Sequence, residues 1–318
     1  MILGHDHARA TVPATSANLG PGFDSLGLAL ALHDELEVRV VDGPGGVVTV
    51  TGQGAGEVPD GEDHLVLRAL RLALDHVGAP QPGLALTCVN RIPHGRGLGS
   101  SAAAAVGGLV LARALLADPA ALDDDTLLML ATRLEGHPDN AAPALLGGAT
   151  VAWLDTDDDT GPHAPHAVRV PVHEDVVPVV LVPTERLLTQ HARSVLPAVV
   201  THRDAAFQAG RAALLVEALG RRPDLLLPAT EDRLHQEHRR PVMQDSLAVV
   251  DALRARGVAA VVSGAGPTVL ALGRRTVVDG TGADADQAVD EVLRDAAGTW
   301  QVLHPAVDQA GARSWSVA

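Results

Sequence analysis

Short β-rich pieces open the pattern between positions 26 and 51: LGLALAL, ELEVRVV and VVTVT, broken by the turn-forming Asp42–Gly46. His64–Val77 then changes period, with Leu65, Leu67, Ala69, Leu72, Ala73 and Val77 near helical spacing. Gly83–Val89 reads as a strand and Arg91–Gly99 as a Gly-rich loop. Ser100–Ala117 predicts a helix with Ser at its start, an alanine-rich apolar body and Asp118-Pro119 as its stop. Asp123–Leu134 predicts another, its aspartates at the positive end of the helix dipole, and Gly148–Leu154 returns as a strand. Further on, strands are expected near Val176–Val182, Val258–Val262 and Thr268–Leu272. Helices are expected near Gln190–Leu196, Thr201–Leu219, Gln244–Arg256 and Ala283–Ala297. Strands and helices mix without a strict βαβ repeat, which favours α+β over a doubly wound sheet. The polar, breaker-rich Asp155–Pro165 suggests a boundary between domains spanning 1–160 and 161–318.

Composition changes this picture in two ways. With three Trp, two Phe and no Tyr, the core must be filled by Leu, Val and Ala. All 24 basic residues are Arg, because the chain contains no Lys. That excludes Schiff-base chemistry, a lysine general base and the phosphate loop that depends on lysine. The formal charge of −15 repels nucleic acid and anionic membrane, so an anionic substrate needs local dipoles, arginines or a metal. The single Cys88 fits a reducing compartment, and as part of an apolar strand it reads as a small buried hydrophobe. The opening MILGHDHARA carries no secretion pattern, and the apolar run at 102–112 is too short to span a bilayer. A cytoplasmic protein that binds neither membrane nor nucleic acid is expected.

The strongest chemical signal is Pro93-His-Gly-Arg-Gly-Leu-Gly-Ser-Ser-Ala-Ala103. Its glycines leave backbone N–H groups bare, and the loop opens directly onto a helix N-terminus, where amides and dipole together attract anions. Ser100 and Ser101 stand at the mouth, one placed to cap the helix and the other to ligate Mg²⁺. Familiar patterns fail here. Ser100 stands where the dinucleotide pattern needs its third glycine, and no glycine follows either serine at nucleophile-elbow spacing.

This segment resembles the second motif of the GHMP kinases. Pro13-Ala-Thr-Ser-Ala-Asn-Leu-Gly-Pro-Gly-Phe-Asp24 resembles their first motif and Ser263-Gly-Ala-Gly-Pro-Thr268 their third. Within that superfamily, four stretches are similar to the homoserine kinases: Ser16–Leu30, Glu135–Gly148, Thr189–Pro197 and Glu231–Gln236. The resemblance covers nearly the whole chain. It implies a two-domain α+β fold with the active site in the interdomain cleft, a homodimer, and phosphoryl transfer from ATP to L-homoserine for threonine synthesis.

The resemblance also implies roles. Pro93, His94, Gly95, Arg96, Gly97, Leu98, Gly99, Ser100, Ser101 and Ala102 would hold the nucleotide, with His64 in the base region. Family members often carry Asn there. Ser101 and Glu135 would ligate Mg²⁺, a hydroxyl and a hard carboxylate for a hard cation, with Ser100 the alternative hydroxyl. Arg193 and Arg239 would clamp the acceptor carboxylate, Asp24 its ammonium, and Asn18 and Asn140 would add neutral hydrogen bonds. The register leaves Arg240 open beside Arg239. Arg193 would also offset charge on the transferred group. Asp139 matches a catalytic aspartate of mevalonate kinase-like relatives, and is read here as either an orienting group or a base.

Two rival readings remain. Another small alcohol such as mevalonate lacks an ammonium for Asp24, and a silent ligand-binding paralogue has no need of Ser101 and Glu135. Asp155, Asp157 and Asp159 imitate the start of a calcium loop, but Thr160 and His166 replace its glycine and closing Glu. His5, His7, His163, His166 and His173 lack metal-site spacing.

Overall fold

The computed structural model describes residues 1–155, 164–275 and 285–317. Its strands are β1 (His7–Ala17), β2 (Leu26–Val41), β3 (Gly46–Gly52), β4 (Gly83–Asn90), β5 (Ala149–Leu154), β6 (Pro165–Val170), β7 (Val176–Pro183), β8 (Ala259–Val262), β9 (Val269–Arg274), β10 (Trp300–Leu303) and β11 (Arg313–Ser316). Its α-helices are α1 (Leu65–His76), α2 (Ser100–Leu115), α3 (Asp124–Glu135), α4 (Ala141–Leu146), α5 (Thr189–Ser194), α6 (His202–Gly220), α7 (Leu226–Ala229), α8 (Gln244–Ala255) and α9 (Ala285–Asp295). Helix and strand types follow the periodicity closely where one face is buried.

Two sheets organise the molecule. The first runs β11-β1-β2-β4-β3, with β5 on β2 and β6 on β5; the second runs β10-β7-β9-β8. The expected boundary at 160/161 falls outside the described residues, as do Asp157, Asp159, Thr160 and His163. The sheets themselves change over after β6, and β11 returns from the far end of the chain to pair with β1. The pieces expected at 26–32 and 35–41 form one continuous strand, β2. Its Leu26–Leu28 pairs β5 and its Glu35–Val41 pairs β4, while a register shift at Pro13/Ala14 lets β1 follow the whole length.

Small residues explain how the helices α1 and α2 pack. α2 is buried almost all round, and a Cβ on Gly108 would lie 2.1 Å from the Val66 carbonyl of α1. The two helices therefore approach backbone to backbone. Leucines dominate the largest fully buried side chains, as the scarcity of aromatics requires; beside them stand Ile92 and one charged residue, Arg239. Cys88 is buried, and burial pushes its thiol up to about 12, so it behaves as an apolar side chain.

Candidate active site

Three segments meet: the end of β1, the Gly-rich loop before α2 and the turn between β8 and β9. Thr15 N–H donates to Leu98 O, Gly264 N–H to Ala17 O, and Thr268 N–H to Arg96 O. The Ser263 hydroxyl donates to Gly97 O at 2.6 Å and lies 2.8 Å from Ser16 Oγ. A side chain on Gly97 would put its Cβ 2.2 Å from Ser263 O, and Gly97 has φ +77°, so only glycine fits. The loop and the N-terminus of α2 thus present backbone amides, in the manner of an anion cradle. The expected serine cap is corrected here: Gly99, left-handed at φ +67°, is the N-cap, and no side chain caps the helix. A Cβ on Gly99 would meet Thr15 Oγ1, so the position is closed to Ser.

Two cavities flank this loop and share Gly95, Ser100 and Ser101. One, of about 290 Å³, is lined by Leu36, Val58, Pro59, Leu65 and Val66 together with His64, Asn90 and His94. Burial lowers the pKa of His64, with His94 adding to it, and burial lowers that of His94 likewise. The buried His64 Nδ1 has no hydrogen-bond partner among the described residues. Neutral imidazoles in an apolar slot suit a flat nitrogenous ring. Beneath it, buried Asp34 accepts the Arg91 and Ile92 N–H groups on one oxygen, at 2.6 and 2.9 Å. This anchors the start of the loop.

The other cavity, of about 330 Å³, has Gly95, Gly97 and Gly99 of the loop on one side and polar side chains around the rest. Asn18, Glu135, His137, Asp139, Asn140, Thr189, Arg193 and Arg239 line it, with Gly264 and Ala265. Asn18 sits in a left-handed turn, accepts from Asp24 N–H at 2.9 Å and donates to Gly264 O at 2.9 Å. Asp24 holds Arg193 in a two-pronged pair at 2.6 and 3.1 Å. Burial works against the Arg193 charge, but this pairing outweighs it and raises its pKa. Arg239 is only 1% exposed. Burial, with Arg193 nearby, brings its guanidinium down to about 10, which still leaves it charged at neutral pH.

At the joint between the cavities, Ser101 Oγ donates to Glu135 Oε1 at 2.6 Å. Burial raises the Glu135 pKa against the Ser101 bond. No group of three or more His, Cys, Asp or Glu among the described residues is arranged to hold a metal. A hydroxyl and a carboxylate beside a phosphate cradle still fit Mg²⁺, which keeps waters and takes substrate phosphate oxygens for its other positions. Asp139, 2% exposed, lies 2.5 Å from His137 Nδ1 and takes a longer bond from Asn140 at 3.4 Å. The Asp139 contact raises the His137 pKa against the effect of burial.

The structure gathers most of the expected residues and relocates some. Of the neighbouring arginines, Arg239 turns inward, while Arg240 pairs outward with Glu237 and Asp251. Asp24 does not line the cavity, because both its oxygens face Arg193. Pro93, Arg96, Leu98 and Ala102 line neither cavity: Pro93, Leu98 and Ala102 are buried, and Arg96 reaches Pro183 O and Thr184 O. His137 and Thr189 were missed. Each lies inside a stretch already singled out, at Glu135–Gly148 and Thr189–Pro197, but a lone His or Thr there carries no signal of its own.

Comparison with known proteins adds the following. The family model described as GHMP kinases N terminal domain matches residues 64–148. The homoserine kinase of Streptomyces coelicolor is 53% identical over 305 residues, 96% of this chain and 93% of that one. That of Clavibacter michiganensis is 51% identical, over 94% and 91%. The crystal structure of homoserine kinase from Cytophaga hutchinsonii superposes with a TM-score of 0.82 at 26% identity, covering 98% of each chain. Mevalonate kinase of L. major, at 15% identity and a TM-score of 0.62, shares the fold.

Proposed function

The chain belongs to the homoserine kinase family of the GHMP kinases, and from that premise we propose that it moves the γ-phosphoryl group of ATP to the side-chain hydroxyl of L-homoserine. The product is O-phospho-L-homoserine, for threonine synthesis. The observation that carries this reading is the meeting of an apolar base slot and an arginine-lined acceptor cavity at one glycine loop. A new O–P bond forms from the acceptor hydroxyl as the bond from phosphorus to the ADP oxygen breaks, and the hydroxyl proton leaves to solvent. Such a transfer needs positioning and charge neutralisation more than covalent help.

The base occupies the slot beside His64 and His94, and the Gly95–Ser101 backbone holds the phosphates. Ser101 and Glu135 would hold Mg²⁺, which when bound neutralises charge on the phosphate oxygens. Arg239 takes the acceptor carboxylate, and Arg193, steadied by Asp24, faces the developing charge. The ammonium reaches Asp24 only by sharing it with Arg193. Asp139 acts as an orienting group, because its carboxylate already engages His137 and Asn140. His137, its charge favoured by Asp139, stands beside the hydroxyl to be phosphorylated. Asn18 and Asn140 complete the acceptor's hydrogen bonds.

No helix among the described residues is long and apolar enough to cross a membrane. A cytoplasmic homodimer is the expectation that the family carries. The reading is tested by ³¹P NMR of the protein with ATP, Mg²⁺ and, in turn, L-homoserine, L-serine, mevalonate and galactose. A phosphomonoester from homoserine alone is expected; one from mevalonate alone would refute the acceptor assignment. No product from any, with tight ATP binding, would support a silent paralogue. Glu135→Ala should lower turnover about 100- to 1,000-fold and abolish the extra rise in melting temperature expected when Mg²⁺ is added to the wild type with ADP. An unchanged rise would refute its metal role.

A further inference from the structure

We propose that His235 is a positioning residue for the acceptor site: as the neutral tautomer protonated on Nε2, it aims Arg239 into the cavity and ties it to the Asn18–Gly20 turn. This rests on the reading of Arg239 as the carboxylate clamp.

The His235 side chain has no solvent exposure. Its two ring nitrogens meet groups of opposite kind. Nε2 lies 2.7 Å from Gly20 O, and Nδ1 lies 3.1 Å from Arg239 Nη1. A carbonyl only accepts and a guanidinium only donates, so Nε2 must carry the hydrogen and Nδ1 must be bare. A doubly protonated ring would set N–H against N–H beside a buried cation. Asp232 fixes the segment from which the ring rises. Its oxygens accept from the N–H groups of Leu234, His235 and Gln236 and from the Gln208 amide.

Arg239 has five N–H donors, and the protein engages three. Nε donates to Ala192 O at 3.2 Å; Nη1 donates to His235 Nδ1 and to Gly264 O at 3.0 Å. The Nη2 hydrogens have no hydrogen-bond partner among the described residues, which leaves them for a ligand oxygen. Gly264 O also accepts from Asn18, so one carbonyl joins both cavity-lining side chains. Below them, Phe23 stacks on His235 with centroids 5.0 Å apart. The guanidinium carbons of Arg193 and Arg239 lie 5.6 and 5.8 Å from the Phe23 centroid. His235 and Phe23 thus form one floor under both arginines. At its other edge, His235 grips Gly20, the third of three successive left-handed residues. Removing the ring frees Arg239 to turn and loosens the turn that places Asn18.

The test uses the full chain and separates the two edges of the ring. In His235→Asn the amide oxygen can replace Nδ1 and keep the Arg239 contact. In His235→Gln the amide nitrogen can replace Nε2 and keep the Gly20 contact, and His235→Phe keeps only the stack. We expect KM for homoserine to rise about tenfold or more in Gln and Phe, and to stay within about threefold in Asn, with KM for ATP steady throughout. Parallel rises in both KM values, or equal rises for Asn and Gln, would overturn the positioning role. Arg239→Ala is measured alongside: an unchanged homoserine KM there would overturn the clamp reading instead. Should a variant fail to fold, the wild-type ring decides. Long-range ¹H–¹⁵N spectra should show neutral His235 with its proton on Nε2, and a proton on Nδ1 would overturn the proposal.

Discussion

The two halves of the site are made from different material. The nucleotide half combines a glycine loop and helix N-terminus, which offer backbone, with an apolar slot beside His64 and His94, all within the chain's first hundred or so residues. The acceptor half relies on side chains: Asn18, His137, Arg193 and Arg239 come from four distant segments, Asn18 and Arg239 tied to Gly264 O, His137 to Asp139 and Arg193 to Asp24. A backbone site has no functional group to delete, so it is broken by adding atoms. A side-chain site is broken by removing them.

That contrast can be forced. Arg239→Ala leaves a carboxylate without its partner and costs about 2–5 kcal/mol, seen as a rise in KM for homoserine far larger than in KM for ATP. Equal effects on both substrates would merge the two halves into one. Gly97→Ala should do the reverse. Its methyl meets Ser263 O, so the loop must shift, and kcat/KM for ATP should fall about 100-fold; Gly97 also lines the acceptor cavity, so KM for homoserine should rise too, but by less than KM for ATP.

Asp34 sharpens the comparison through stability. Burial pushes its carboxyl from 3.8 up to about 6, so the fold favours the protonated form. The Asp34 contribution to stability therefore falls as pH rises from about 4 to about 6 and stays lower above that. Asn can keep both bonds to the loop on its one oxygen. Asp34→Asn should remove this fall and gain about 1–3 kcal/mol at pH 7.5, read by thermal unfolding at pH 4.5 and 7.5. Lower stability at both values would contradict it. The smallest effect is expected for Arg186→Ala. Its pair with Glu57 across the nucleotide opening is exposed, and the Leu187 N–H bond to Gly95 O remains. KM for ATP should move by less than about threefold.

The same contrast decides what could be read from the chain. Gly95, Gly97 and Gly99 before Ser100 announce a cradle because contiguous residues build it. The strand β1 gave no alternation to read, since residues 12–17 are all buried. Arg239 is one of 24 arginines, and nothing local distinguishes it from Arg240. Only the family likeness singled out the pair, and the inward turn of Arg239 depends on His235 and Gly264. Asp24 was read as a ligand group because its partner Arg193 lies 169 residues away. The late strand β11 in the first sheet was equally out of reach, since long-range pairing leaves no local mark.

The central claim is that the acceptor half reads an amino acid by its charged ends. Its most direct test is kcat/KM for L-homoserine beside 4-hydroxybutyrate, which lacks the ammonium, and 3-amino-1-propanol, which lacks the carboxylate. The account predicts that both analogues fall at least about 100-fold below homoserine, with 3-amino-1-propanol insensitive to Arg239→Ala. Turnover of 3-amino-1-propanol as fast as homoserine would contradict it.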